Sequence, residues 1–193
     1  MSTIAPTAAR AVGERLNDDG VAFLEAPVSG SRPKAEAGTL TIMVGGEDSD
    51  FDRAQPLFDA MGELVVHVGP RGHAQLTKLL TNTMGAVHSV ALAESVLAVE
   101  KAGIDPDAFL QVAAGSAANS TVLGLKGKPM FDRDFTPLFK LEHMLKDVRH
   151  CLNEAGALGV ELRLGSLVEP LFARAAEQGH GEEDFAAVIR ALE

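Results

Sequence analysis

Between Gly72 and Asn82 the chain reads Gly-His-Ala-Gln-Leu-Thr-Lys-Leu-Leu-Thr-Asn. This stretch opens the longest helical pattern in the sequence, running from Gly72 to Ala102. At about 100° per residue, Lys78, Asn82, Gly85 and Ser89 fall within roughly 60° of one another. The opposite face carries Leu76, Leu80 and Val87, and Leu79, Val90 and Leu97 widen the apolar surface. A helix apolar around most of its girth is expected to be buried, and everything else must pack around it. A cation and an amide then stand on its polar stripe, beside small residues that leave room for a small polar molecule. Spacing alone also admits a plainer reading, in which Lys78 snorkels to solvent and Asn82 has no special partner.

Ahead of this helix, short β-rich runs alternate with helical patterns. Met1 to Ala5 reads as the end of a strand. Pro6 suits a helix first turn, and Thr7 to Asn17 reads as a helix closed by Asp18-Asp19-Gly20. Strands are expected over Val21–Val28, Leu40–Val44 and Leu64–Val68, with a turn or short helix at Ala35–Gly38 and an amphipathic helix over Phe51–Met61. Such alternation implies an α/β layer with a largely parallel sheet. The sequence contains no G-x-G-x-x-G and no P-loop, and Gly45-Gly46 reads as a strand end.

Behind the long helix the pattern is helical throughout. Gly103 suits the position after a helix C-terminus, and Asp105-Pro106 is a cap followed by a first-turn proline, opening a helix to Ala114. The segment 115–134 is rich in Gly, Ser, Asn, Lys and Pro, with room for one short helix. Thr136 to Gly156 is a strong helix marked by Leu138, Leu141, Leu145, Val148 and Leu152. Gly165 to Gln178 and Phe185 to Leu192 are two more. The expected architecture is therefore α/β plus all-α: part of a Rossmann-type parallel sheet in residues 1–70, then an all-helical domain in residues 71–193 built on the long helix.

Composition narrows the function. A net charge of −10 and a pI near 5.0 argue against nucleic acid or an anionic membrane as partner. A single cysteine, Cys151, rules out an intrachain disulfide and fits a reducing cytoplasm. It sits in an apolar helical pattern, as a small core residue would. No run approaches the roughly 18 apolar residues that span a bilayer, and no signal peptide is evident. The six histidines show no metal-ligand spacing, and His88, on a helix expected to be buried, reads as a hydrogen-bonded core residue.

Several pieces now stand together: Ser2-Thr3-Ile4-Ala5-Pro6, Ala26-Pro27-Val28-Ser29-Gly30-Ser31, Ala35-Glu36-Ala37-Gly38-Thr39-Leu40, Gly72 through Asn82, and Lys146-Asp147. Their order and spacing resemble the β-hydroxyacid dehydrogenase family over nearly the whole chain. That family includes 3-hydroxyisobutyrate dehydrogenase, tartronate semialdehyde reductase and glyoxylate/succinic semialdehyde reductase. The Ser-Gly-Ser turn and the run Phe139 to Asp147 look most like the glyoxylate/succinic semialdehyde reductase branch.

The resemblance implies roles by position. Lys78 matches the catalytic lysine and Asn82 the substrate-orienting asparagine. Ser29, Gly30 and Ser31 match the turn that holds the substrate carboxylate. Thr3 matches a contact near the nicotinamide end of the cofactor, Lys146 a cofactor-contacting lysine, and Asp147 a neighbour that helps place the site; Phe139 lines the pocket. Without the resemblance, Ser29-Gly30-Ser31 is an ordinary turn, Thr3 an ordinary N-terminal residue and Lys146-Asp147 a solvated helix pair. The implied chemistry is hydride transfer between NADP or NAD and a small hydroxy acid or semialdehyde, with no metal, in a cytoplasmic homodimer or homotetramer. An ammonium can protonate the alkoxide formed on reduction, and a neutral lysine can take the proton back. A lysine near its ordinary pKa of ~10.4 is a poor base, so burial on an apolar helix would help.

The family's chains open with a glycine-rich, pyrophosphate-cradling half that is absent from these residues, which start at the Ser-Thr-x-x-Pro motif. Thr81 stands where many relatives carry a second asparagine, and Arg32-Pro33-Lys34 adds charge after the substrate turn. Two readings follow: part of an NAD(P)-dependent oxidoreductase, or a truncated, catalytically inactive relative serving as a helical oligomerisation module. Imine reductases share the architecture but replace the lysine, so Lys78 counts against them.

Overall fold

Proline at the first helical position starts the chain's first helix, α1 (Pro6–Asp18), which turns Ala9 and Gly13 inward. The computed structural model describes all of residues 1–193. After α1 come β1 (Val28–Ser29), α2 (Ser31–Ala37), β2 (Leu40–Val44), α3 (Asp48–Asp59), β3 (Gly62–His67) and the long α4 (His73–Ala102). The chain divides into two compact units. The first is Met1–Thr81 with Asn153–Val160, and the second is Asn82–Leu152 with Glu161–Glu193. The division thus falls inside α4, whereas the change from mixed to purely helical structure comes at its start.

In the first unit the sheet order is β1-β2-β3. β2 and β3 are parallel, pairing Ile42 with Val65, and β1 runs antiparallel to β2, pairing Val28 with Ile42. The strand expected over 21–28 shrinks to Val28–Ser29 and one bridge between Glu25 and Gly45. Pro27 lies between these two pieces and has no N–H to give a ladder; its carbonyl accepts from Met43 instead. Residues 1–5 form no strand either. β2 was legible to the residue, and α3 starts three residues earlier than expected because Asp48 and Asp50 suit the positive end of a helix dipole. Ile42, Val44, Ala26 and Phe58 make the core of this unit, packed by Phe51, Ala54, Met61 and Val65. Full burial of a side chain such as Ile42 is worth about 1.5–3 kcal/mol.

The second unit is helical: the rest of α4, then α5 (Pro106–Ala114), α6 (Thr121–Asp132), α7 (Leu141–Ala157, whose last turn belongs to the first unit) and α8 (Arg163–Ala175). A π turn over 176–180 and a 3-10 helix, Phe185–Ala191, close the chain. Asp105 caps α5 by accepting the Ala108 N–H at 2.8 Å, and Ser120 caps α6 through Leu123 at 3.0 Å. The glycine-rich stretch 115–134 therefore holds a helix of three turns. α7 begins five residues later than its periodicity suggests, and Leu138, expected in its core face, is 40% exposed. Val96, Met130, Leu141, Val148, Phe172, Val188 and Ile189 are fully buried and form the core here. No helix is long and apolar enough to cross a membrane.

Candidate active site

The first turn of α4 is built around a buried acid. Glu25 is only 3% exposed, and its Oε1 accepts the backbone N–H groups of Gly72 (2.8 Å), Ala74 (2.8 Å) and Gln75 (3.4 Å). These are donors that a helix start leaves unpaired, and a carboxylate there also meets the positive end of the dipole. Oε2 is buried without a hydrogen-bond partner. Burial pushes the Glu25 carboxyl above the ordinary glutamate value, partly offset by those N–H groups and by Arg10. Gly45 makes the approach possible, since a Cβ there would stand 2.5 Å from Oε1.

From that anchored turn α4 presents Gln75 and Lys78, three residues apart and so on one face. Both are buried: Gln75 is 2% exposed and Lys78 is 7% exposed. The Gln75 carboxamide accepts the Ile4 N–H at 3.1 Å and donates to the Ser2 carbonyl at 3.0 Å. Thr3, half-buried, lies between these two bonds. Part of the polar stripe of α4 is thus buried, alongside Leu79 and Val90 of the expected apolar surface. Leu80, expected in the apolar core face, is 38% exposed, and Met84 is 60% exposed. His88 is exposed too, so it is not the core histidine that a wholly buried helix would require.

Four residues beyond Glu25, the Ser29-Gly30-Ser31 turn joins β1 to α2. Gly30 has φ 131° and Ser31 has φ 54°. Only glycine takes the first value freely, and a serine at the second stores strain of about 1–3 kcal/mol. Ser29 and Ser31 are exposed, and the stem of Lys34 lies over Gly30, where a Cβ would stand 2.6 Å from Lys34 Cβ.

The second unit holds a tight polar group of its own. Asn82 lies one turn past Lys78 on the same uninterrupted helix. Its Nδ2 donates to Asp147 Oδ2 at 2.7 Å, which fixes the orientation of the amide. Asp147 is 1% exposed, so it is no member of a solvated pair. Lys146 Nζ approaches Asp147 Oδ1 to 2.6 Å. That is a charge contact rather than a directed bond, because Oδ1 has no hydrogen-bond partner. Neighbouring residues on a helix do not face each other. The long lysine stem makes the reach, leaving its side chain 42% exposed. Phe139 is half-buried, its ring 5.9 Å from that of His143 and 6.3 Å from that of Phe185. Cys151 is fully buried, and burial pushes its thiol pKa up, which suits a core residue rather than a nucleophile.

Glu25 and Gln75 escaped the sequence reading. A lone acid inside the apolar run 21–28 was the available signal for the first. A glutamine three residues before Lys78, on the same face, was the signal for the second.

Residues 72–192 match the family described as NAD-binding of NADP-dependent 3-hydroxyisobutyrate dehydrogenase, and residues 1–69 match the NAD binding domain of 6-phosphogluconate dehydrogenase. The 2-hydroxy-3-oxopropionate reductase of Escherichia coli is 36% identical over 193 residues, which is all of this chain and 66% of that protein. Glyoxylate/succinic semialdehyde reductase 2 of Arabidopsis thaliana is 32% identical over 192 residues, again the whole chain but 54% of that protein. The chain therefore spans less than two thirds of either relative. The crystal structure of a 3-hydroxyisobutyrate dehydrogenase from Salmonella typhimurium superposes with a TM-score of 0.91 at 31% identity, covering 98% of this chain and 67% of that one.

Proposed function

The chain belongs to the β-hydroxyacid dehydrogenase family, and on that footing we propose that it carries the substrate-binding and proton-transfer part of an NAD(P)-dependent oxidoreductase acting on a small hydroxy acid or semialdehyde. The observation that carries this reading is a buried lysine, Lys78, one helical turn from an amide that a buried aspartate holds in place. Both relatives named above are reductases whose names specify small aldehyde or keto acids. Substrates of that class carry one carboxylate and one carbonyl, and the roles divide accordingly.

Backbone N–H groups and hydroxyls of the Ser29-Gly30-Ser31 turn would hold the carboxylate, Gly30 allowing close approach of the backbone. Asn82, its Nδ2 engaged by Asp147, presents its remaining amide atoms to the substrate oxygen. Lys78 Nζ gives a proton to that oxygen in reduction and removes it in oxidation. Thr3 would contact the cofactor near its nicotinamide end, and Lys146 would be a further cofactor-contacting group. Each fits a dinucleotide in chemistry, Thr3 offering a hydroxyl on a tethered backbone and Lys146 a partly exposed cation. No glycine-rich strand-to-helix turn for the pyrophosphate occurs among the 193 residues. The bound cofactor, NADP or NAD, supplies or accepts the hydride.

The competing reading is a catalytically inactive helical oligomerisation module. A scaffold has no use for a buried cation beside an oriented amide, and burying such groups is costly. Calorimetry with NADH and NADPH, followed by turnover of glyoxylate, succinic semialdehyde and 2-hydroxy-3-oxopropionate, separates the two. The expected result is weak cofactor binding, or none, by these 193 residues alone, and binding and turnover once a glycine-rich dinucleotide-binding half is joined ahead of them; in that extended chain Lys78→Met loses about 100- to 10,000-fold in kcat while cofactor affinity is retained. Absence of cofactor binding by the extended chain, or an extended Lys78→Met variant as fast as its parent, would overturn the enzymatic reading and leave the scaffold.

A further inference from the structure

The Gln75 carboxamide is almost wholly buried, yet all of its bonds go to one three-residue segment. It accepts from Ile4 N–H and donates to Ser2 C=O, gripping the backbone on both sides of Thr3 as a neighbouring strand would. A buried amide is costly unless both of its ends are paired, so a position chosen for packing alone would hold leucine or methionine. The helix turn that carries Gln75 is itself immobilised, its N–H groups held by Glu25. Lys78 follows three residues later on that face.

We propose that Gln75 is a positioning residue, which clamps Thr3 in a fixed register on α4 and so sets the cofactor-contacting hydroxyl relative to the Lys78 ammonium. The assignment rests on the roles given above to Thr3 and Lys78. Hydride transfer is sensitive to such placement, because a misplacement of about 1 Å can cost about 100-fold in rate. The clamp acts on the backbone of Thr3 rather than on its side chain. Its loss therefore removes the two bonds that flank Thr3 without altering any group that touches a ligand. Ser2 and Met1 are exposed, so releasing the segment does not open the core of the unit.

The test compares the parent with Gln75→Met, which keeps the length and removes both bonds, and Gln75→Glu, which keeps the acceptor for Ile4 and loses the donor to Ser2. Amide exchange of Ile4 and the χ1 coupling constants of Thr3 read the clamp directly, with the Val44 amide in β2 as an internal control. In Gln75→Met, Ile4 exchange accelerates about tenfold or more, Thr3 averages over rotamers and Val44 is unchanged. Gln75→Glu falls between. In turnover, Gln75→Met loses about 10- to 100-fold in kcat with little change in substrate KM. Unchanged Ile4 exchange overturns the clamp. A released Thr3 with undiminished kcat overturns its positioning role. If the parent binds no cofactor even with a glycine-rich half joined ahead of it, the functional reading fails on its own, and the exchange and coupling data still decide whether Gln75 orders Thr3.

Discussion

Glu25 shows how one residue can serve a helix while working against its own charge. Burial is the largest influence on its carboxyl and raises its pKa above 4.5; the N–H groups of Ala74, Gln75 and Gly72 and the charge of Arg10 oppose the rise without cancelling it. An acid whose folded pKa is raised binds its proton more tightly in the native state. Its stabilising contribution is complete below 4.5 and is lost as pH rises through the folded value. Glu25→Gln keeps an oxygen for the three N–H groups and cannot ionise. Thermal melts across pH should therefore show the parent losing stability relative to Glu25→Gln as pH rises above 4.5, with the curves converging below it. A constant offset between the two would show that ionisation is not the cause. Glu25→Ala, which strips the cap, should cost about 1–3 kcal/mol at low pH and less as pH rises and the parent's carboxyl ionises. The same scale explains what could be read of the site. Lys78 and Asn82 stood out by chemistry and helical spacing, whereas Ser29-Gly30-Ser31 was singled out only through the family resemblance. Asp147 came from the resemblance alone, since its bond to Asn82 joins residues 65 apart in sequence.

Among the elements, those with local signals were legible and those fixed by distant partners were not. α5 was placed to the residue because Asp105, Pro106 and the cap to Ala108 lie within four positions. The start of α7 was misplaced because Asp184 decides it. Asp184 Oδ2 accepts the N–H groups of Leu138 and Phe139 at 2.9 and 3.2 Å, holding that stretch out of the helix. Its partner is Lys126, 3% exposed, with Nζ 2.8 Å from the carboxylate and 4.6 Å from the centre of the Phe185 ring. Asp184→Asn leaves that cation buried without a counter-charge and should destabilise by about 3–5 kcal/mol. Adding Lys126→Met removes the stranded charge, while the carbonyl of the introduced amide can still accept the N–H groups. The double variant should recover part of the loss in urea unfolding, and strictly additive losses would show that the pair does not act as a unit.

At the scale of the whole molecule, a net charge of −10 sits beside large exposed apolar side chains. In the helical unit, Val112, Leu167, Leu164 and Met84 are each 60% exposed or more. Leu164 and Leu167 are three apart on α8 and share a face. Single exposed apolar residues are ordinary, but a pair on one helix face suits a second copy of the chain. Such association has to overcome repulsion between two acidic chains, so salt should strengthen it by screening that charge while leaving apolar burial intact. Sedimentation equilibrium should therefore find a homodimer or homotetramer whose dissociation constant falls as ionic strength rises. Leu164→Glu with Leu167→Glu should shift the population to monomer without lowering the thermal midpoint of the fold. A chain that remains monomeric in high salt, or an assembly indifferent to the double substitution, would place the contact elsewhere or remove it. Assembly by itself does not separate enzyme from scaffold, because both readings need it. A monomeric double variant that still binds cofactor would show that one chain holds the whole cofactor site; loss of binding on dissociation would show that the partner copy completes it.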